Sequence, residues 1–297
     1  MGSPDFAVPS LITLSENYEI VGVVTQPDRP SGRGQILTQS PVKKAAVELG
    51  LPVIQPQKLA ADLDVKNQLE EWKPDIIIVT AFGQILKKDI LELAPFGCIN
   101  IHASLLPRWR GVSPIQAVIL NGDTETGITI MRMDEGIDTG DIIHQCRIPI
   151  DPGETGGSLN DKLSALSGIC LLDCLPRYLR GELVPQPQGQ SPTPYAPMLK
   201  KSDGELDLGN PAYILERQIK AYNPWPGAFI DRERKRYKIH TAHIESKPNP
   251  GIGVFTSHDG YPAVGVQDGL LVIDHIQPAG KKIIQGDIYL RGARDWA

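Results

Sequence analysis

The sequence predicts an α/β fold: a doubly wound, mostly parallel sheet with helices on both faces, followed by a small C-terminal β-barrel. Three observations predict it. Short β-branched runs alternate with helix-patterned segments through the first half. The composition then shifts at a proline-rich stretch. Beyond that stretch, short strand patterns outnumber helical ones. A length of 297 residues accommodates two domains.

Residues 20–25 (IVGVVT), 75–80 (DIIIVT) and 98–102 (CINIH) read as strands buried on both faces, and 51–55 as a shorter one. Residues 41–50 and 59–72 read as helices between them. Ser40 before Pro41 supplies an N-cap with proline at the first helical position, and Gly50 marks the stop. Two further strands are expected at 126–133 and 142–148, then a long helix over 157–179. Residues 184–197 hold five prolines among Gln and Ser, an extended linker. The helix 211–221 and strands such as 237–244 and 270–276 form the β-rich end. The expected division is 1–182, linker 183–203, and 204–297. A doubly wound domain opens on a strand, and none precedes Gly2-Ser3-Pro4. The first strand is expected either to be missing or to lie upstream, and a sheet without it to be destabilised.

A hydrophobic content of 41% and a charged content of 22% are those of a globular chain that buries a full core without staples. No apolar run approaches the roughly 20 residues that span a bilayer, so no membrane partner is expected. The start lacks a basic region and an apolar core, which points to the cytoplasm. Met1-Gly2 opens like a myristoylation signal, but Phe6 stands where that signal needs Ser or Thr. Cys98, Cys146, Cys170 and Cys174 make neither a CxxC pair nor a zinc spacing, and read as buried free thiols. His144, His240, His243, His258 and His275 fall in no metal pattern, so no metal is assigned. Walker loops, Gly-x-Ser-x-Gly elbows and a GxGxxG after a strand are also lacking. The net charge of −5 argues against a general nucleic-acid binder. Basic clusters nevertheless stand out: 232–238 (RERKRYK), Lys200-Lys201, Lys281-Lys282, and Arg29 with Arg33 beside a Gly-rich loop.

The chemistry concentrates at 100–107 (NIHASLLP). Side chains two apart on a strand share a face, so Asn100 and His102 point to the same side. That strand's carboxyl end is where open α/β sheets bind ligands. An amide and an imidazole there can orient and deprotonate one reacting group. A carboxylate is expected from the acidic loop holding Asp134, Glu135, Asp138 and Asp141. Asp138 is favoured because Gly136 and Gly140 let its backbone bend close. The connection 25–34 is long for a strand–helix link, and its two arginines suit phosphate or RNA.

These residues together resemble the formyltransferases that use 10-formyltetrahydrofolate. Asn100-Ile101-His102 with Ser104-Leu105-Leu106-Pro107 and Arg110-Gly111 looks like their signature, and Asp138-Thr139-Gly140-Asp141 like their second motif. Both motifs are shared with enzymes acting on a ribonucleotide, on water or on sugar nucleotides, so they specify the chemistry better than the acceptor. Residues 25–34, Pro114-Ile115-Gln116, Asn223-Pro224-Trp225-Pro226 and 277–282 are similar to segments of the branch that formylates methionyl-tRNA. The resemblance covers nearly the whole chain and implies a Rossmann-like catalytic domain with an OB-like, tRNA-binding C-terminal barrel. It implies formyl transfer to the α-amine of methionyl initiator tRNA, with Asn100, His102 and Asp138 catalytic. Folate is expected against Ser104, Leu105, Leu106 and Pro107, with Phe82, Ile85, Leu86, Thr139, Gly140 and Asp141 beside it. Arg29, Arg33, Arg232, Arg234, Lys235, Arg236, Lys281 and Lys282 are expected to meet tRNA. A monomer needing no metal is expected. Two other readings remain: a formyltransferase or hydrolase with a small acceptor, and a non-catalytic RNA-binding protein. The complete Asn–His–Asp set and the lack of a stacking-aromatic array weigh against the latter.

Overall fold

The computed structural model describes residues 1–31, 34, 36–246, 248–293 and 296. They form two compact units. One comprises Met1–Gly111, Glu125–Pro149 and Asn160–Ala196; the other comprises Val112–Thr124, Ile150–Leu159 and Pro197–Ala297.

The first unit begins with α1 (Val8–Asn17), β1 (Val23–Val24) and a hairpin of β2 (Arg29–Ser31) and β3 (Ile36–Thr38). Then come α2 (Pro41–Glu48), β4 (Val53–Ile54), α3 (Leu63–Trp72), β5 (Ile77–Val79), α4 (Lys88–Leu91) and β6 (Cys98–His102). Ser40 caps α2 as expected: its Oγ accepts from the Lys43 amide at 3.1 Å, with Pro41 in the first turn. Asp62 caps α3 in the same way. β1 pairs in parallel with β4, and β5 in parallel with β6. Between these pairs lie Met1 and Gly2. The Met1 amine donates to Ile78 O (2.6 Å), Thr80 N donates to Met1 O (2.9 Å), and Gly2 N donates to Val24 O (3.0 Å).

Beyond α5 (Pro114–Asn121, in the second unit), β7 (Glu125–Arg132) pairs antiparallel with β6, and β8 (Ile142–Pro149) pairs antiparallel with β7. The expected parallel pairing thus holds on one side only. For β7 and β8 the connection is too short for anything else: nine residues, 133–141, join them, whereas a parallel crossover needs about a dozen or more. Ile99, Ile128 and Ile130 are fully buried at the sheet's centre. The helix α6 (Gly156–Leu179) continues from the second unit into the first. Ser164 Oγ donates to Phe6 O (3.0 Å), and Ser167 Oγ lies 2.8 Å from Ser10 Oγ.

The proline-rich stretch is more than a spacer. Gln186 and Ile142 exchange two backbone hydrogen bonds of 2.8 Å, and Ala196 N donates to Arg110 O at 2.7 Å. The segment therefore lies along the first unit as far as Ala196.

In the second unit, α7 (Ala212–Ala221) precedes β9 (Ala228–Arg232), β10 (Lys235–Glu245), β11 (Phe255–His258), β12 (Tyr261–Val266), β13 (Gly269–Pro278), β14 (Ile284–Gln285) and α8 (Gly286–Gly292). The antiparallel order is β11-β12-β13-β10-β9, with β14 on β13. The β-rich domain is as expected, but the closed barrel is not: among the described residues no ladder joins β9 to β11. Side chains span that seam instead. Trp296 Nε1 donates to Thr256 O on β11 (2.9 Å), and the Arg232 guanidinium on β9 donates to Trp296 O. Arg232 also lies 4.5 Å over the Phe255 ring. Trp296 is 1% exposed and meets Tyr237, Phe255 and Tyr289 edge-on. Trp296→Ala is expected to destabilise the second unit by about 3–5 kcal/mol. Urea unfolding followed by far-ultraviolet circular dichroism measures this.

Candidate active site

Asn100 and His102 occupy the last turn of pleat in β6 and share its face, as the strand period requires. The His102 ring is 6% exposed. Its Nε2 lies 3.0 Å from the Trp109 carbonyl. A carbonyl oxygen can only accept, so Nε2 carries the proton and the neutral ring keeps its lone pair on Nδ1. Nδ1 faces Asp138 Oδ2 at 3.6 Å, within ion-pair reach but beyond a hydrogen bond. The ring is therefore oriented by a backbone carbonyl rather than by the carboxylate.

Asp138 is held from two other directions. Asn100 Nδ2 donates to its Oδ1 (3.3 Å), and the Gly111 amide donates to its Oδ2 (2.9 Å). The acid selected between the two glycines is thus the one brought to the pair. The backbone bend falls on Asp138 itself, at φ 54°, a left-handed conformation that Asp tolerates better than most residues. The glycines serve the neighbouring turns. Asp134 Oδ1 accepts from Gly136 N (3.0 Å) and from Thr139 Oγ1 (2.7 Å). At Gly140 a Cβ would collide with the Arg132 carbonyl, and this close approach lets Arg132 N donate to Asp141 O (2.8 Å). Asp141 thereby closes the loop onto β7.

The segment after His102 is fixed on the sheet. Thr129 Oγ1 donates to Ser104 O (2.6 Å) and accepts from Leu106 N (3.0 Å). Gln145 Nε2 donates to Leu106 O (2.8 Å). Ser104 Oγ donates to Arg108 O (2.7 Å), and Leu106–Pro107 is a cis peptide. Of the apolar positions expected near folate, Phe82 and Leu86 belong to the core cluster with Val79 and Ile90, while Ile85 is 78% exposed. Leu105, Pro107 and Thr139 are half-buried.

Sequence reasoning missed the parts that five residues play. The Trp109 carbonyl and Gly111 amide are backbone groups with no residue-type signature. Thr129 and Gln145 sit on strands where alternation marks them only as inward-facing. The most consequential is Gln188, in the proline-rich segment. Its Nε2 donates to the carbonyls of Asp138 (3.0 Å) and Gly140 (2.6 Å), and its Oε1 accepts from Arg110 Nε and Nη2 (3.1 and 2.8 Å). One amide staples the carboxylate loop to the loop after β6. Among the described residues no helix is long and apolar enough to cross a membrane.

The basic residues divide. Arg236 is committed to Asp231 by two hydrogen bonds (2.9 and 2.7 Å) and stacks 3.6 Å over Phe229. Arg232 is committed to Trp296 and Phe255. Arg234 occupies the β9–β10 turn at φ 65°. Lys235, Lys281 and Lys282 line one concavity with Pro278 and Tyr289. Arg29 is exposed on the β2–β3 hairpin, whose base is anchored by Asp28. Hydrogen bonds from Lys43 and Gln55 hold that carboxyl below the usual range. Arg33 lies outside the described residues.

A base with a free lone pair, a nearby carboxylate and an amide donor, gathered at the end of a sheet strand, define an α/β group-transfer enzyme. The chain belongs to the formyl transferase family: that family's model matches residues 7–175, and the model for the formyl transferase C-terminal domain matches 198–294. It is 46% identical over 293 residues to the methionyl-tRNA formyltransferase of Myxococcus xanthus, covering 98% of this chain and 93% of the relative. It is 45% identical to the enzyme of the same name from Marinobacter nauticus, covering 95% and 91%. Among solved structures, the N-formyltransferase of Helicobacter canadensis, in complex with folinic acid and dTDP-3-aminofucose, superposes with a TM-score of 0.68. That match is 21% identical and covers 92% of this chain and 96% of that one, a likeness of fold.

Gln188→Ala is expected to leave the thermal midpoint near that of the unaltered protein and to lower formyl-transfer turnover by about 10²-fold, the cost of a roughly 1 Å misplacement of the carboxylate loop. Single-turnover kinetics beside a melting curve check this.

Proposed function

We propose that this chain transfers the formyl group of 10-formyltetrahydrofolate to the α-amine of methionyl initiator tRNA, as a cytoplasmic monomer that starts translation. The observation carrying this reading is the Asn100–His102–Asp138 set in a chain 46% identical, over nearly its whole length, to a methionyl-tRNA formyltransferase. The sugar-nucleotide reading has support only from structures near 21% identity.

The reaction joins the amine nitrogen to the formyl carbon and breaks that carbon's bond to folate N10. A free α-amine titrates near pH 8, so a neutral fraction is available at physiological pH. As nitrogen attacks, its proton passes to His102 Nδ1, the ring position left basic by the Nε2–Trp109 bond. The imidazolium so formed lies 3.6 Å from Asp138 Oδ2, whose charge stabilises it. Asn100 has one N–H on Asp138 and a second to offer the oxyanion. His102 then returns the proton to N10 as the C–N bond breaks. Ser104, Leu105, Leu106 and Pro107 form the folate side, with Phe82, Ile85, Leu86 and residues 139–141 around it. Residues 204–297, Arg29 and Arg33 receive the tRNA. The exposed lysines at 281 and 282 carry its phosphates better than Arg232 and Arg236, whose guanidinium groups are held by Trp296 and Asp231.

Formyl supplied as 10-formyltetrahydrofolate should reach methionyl-tRNA, and not uncharged tRNA, a ribonucleotide amine or water. Transfer to one of the latter at a higher rate would displace the tRNA reading. Asn100→Ala and His102→Ala are each expected to lower turnover by about 10²–10³-fold without unfolding the chain. Near-normal turnover in His102→Ala would remove its role as base. The double variant Lys281→Ala/Lys282→Ala should raise KM for methionyl-tRNA, leave KM for folate unchanged, and reduce the log–log salt slope by about 1–2. An unchanged slope would place the tRNA elsewhere.

A further inference from the structure

The cysteine and histidine spacings show no metal pattern along the chain, yet the fold gathers three of these residues. His144 and Cys146 are two apart on β8 and so share a face, and Cys170 comes from α6. One ring nitrogen of His144 and the two sulfurs lie within 4.8 Å of one another. Gln145, between them, points to the other face of β8, where it holds Leu106. The cluster is thus separate from the Asn100–His102–Asp138 site and takes no part in its hydrogen bonds.

We propose that His144, Cys146 and Cys170 bind a borderline-soft divalent metal ion, zinc above all, with water in the fourth position. Sulfur and imidazole donors are the set that tetrahedral zinc takes. At Zn–S distances of about 2.3 Å, tetrahedral ligand atoms stand roughly 3.5–3.8 Å apart. A closure of about 1 Å from the observed spread brings these three to that geometry. The surroundings suit it. Asp173 Oδ2 lies 3.0 Å from His144 Nε2, and a carboxylate commonly orients a ligating imidazole in this way. His144 and Cys146 are only half-buried, and Asp173 is 55% exposed, which leaves an entry path from solvent. Cys174 is buried one turn beyond Cys170 on α6. Burial pushes the Cys174 thiol up to about 12 and raises that of Cys170 as well, so both are neutral thiols without a metal, poor nucleophiles in a reducing compartment. Binding releases the ligating cysteines' protons to solvent and involves no change of oxidation state.

The test is titration of the full chain, reduced and stripped of metal, with Co²⁺ and then Zn²⁺. One equivalent of Co²⁺ should raise a near-ultraviolet thiolate-to-cobalt absorption, and Zn²⁺ should abolish it by displacement. Cys146→Ala should lose that absorption and His144→Ala should bind at least tenfold more weakly. Because Cys170 is fully buried, Cys146→Ala is used in place of a Cys170 variant, and its far-ultraviolet circular dichroism should match that of the unaltered chain. Zinc should raise the thermal midpoint of the unaltered chain over the chelator-treated one, and leave that of Cys146→Ala unmoved. No thiolate absorption in the unaltered chain, the same absorption in Cys146→Ala, or equal midpoints with and without zinc would overturn the proposal. Formyl transfer does not enter any of these readouts.

Discussion

The placement of one carboxylate governs the catalytic unit. Asp138 comes from a loop whose neighbours in sequence, Glu135 and Asp134, are exposed. To turn inward it adopts a left-handed backbone, a strain that persists only where its surroundings over-determine it. They do. Asn100 and Gly111 bind the two oxygens, Gln188 binds the carbonyls of Asp138 and Gly140, and Asp141 closes onto β7. Each contact comes from a different stretch of chain. The proline-rich segment, the turn after β6 and the antiparallel β7–β8 pair are all tied to the position of this group. The antiparallel edge is part of that arrangement: Arg132 pairs with Ile99 and Met133 N donates to Cys98 O, so the acidic loop leaves β7 beside the start of β6 and folds back to bring Asp138 to Asn100.

Much of this was legible in residue order, and what was not has physical reasons. A period of two places Asn100 and His102 on one face of β6 without any tertiary information. The flanking glycines single out Asp138 among four acids, though the strain falls on the Asp rather than on them. Trp109 and Gly111 act through the backbone, which every residue possesses, so their residue types say nothing of these roles, although Gly111 stands in the motif that carries the resemblance. Gln188 lies among prolines whose composition signals extension, and extension says nothing of what the extended chain touches. The hairpin of β2 and β3 is likewise hidden, because residues 25–34 carry turn chemistry and little strand propensity. The barrel expectation erred at the seam between β9 and β11. Closure there is by Trp296 and Arg232, and side chains spanning two strands leave no period in a sequence.

Charge follows the same logic. The run 232–238 reads as a basic track, but folding places Arg236 on Asp231 and Phe229, and Arg232 on Trp296. A guanidinium stacked and paired in this way is held in one geometry and serves the domain that presents it. Lys281 and Lys282 lie on the turn between β13 and β14, where exposure keeps an ammonium free to meet a phosphate. The order of basic residues along the chain therefore does not tell which of them fold onto partners within their own domain.

The two faces of β8 show how far a strand can separate tasks. Gln145 reaches the carbonyl of Leu106 and, through Thr129, the segment carrying Ser104. Residues 144 and 146, pointing the opposite way, meet α6 with an imidazole and a thiol. A polar strand face against a helix is costly unless its groups find partners. His144 finds Asp173, while Cys146 and Cys170 have mainly each other. Valine or isoleucine would fill such positions at lower cost, as Ile128 and Ile130 do on β7. A metal ion would give sulfur and imidazole the common partner that packing alone does not. It would also tie β8 to α6 behind the strand from which Gln145 reaches the catalytic segment.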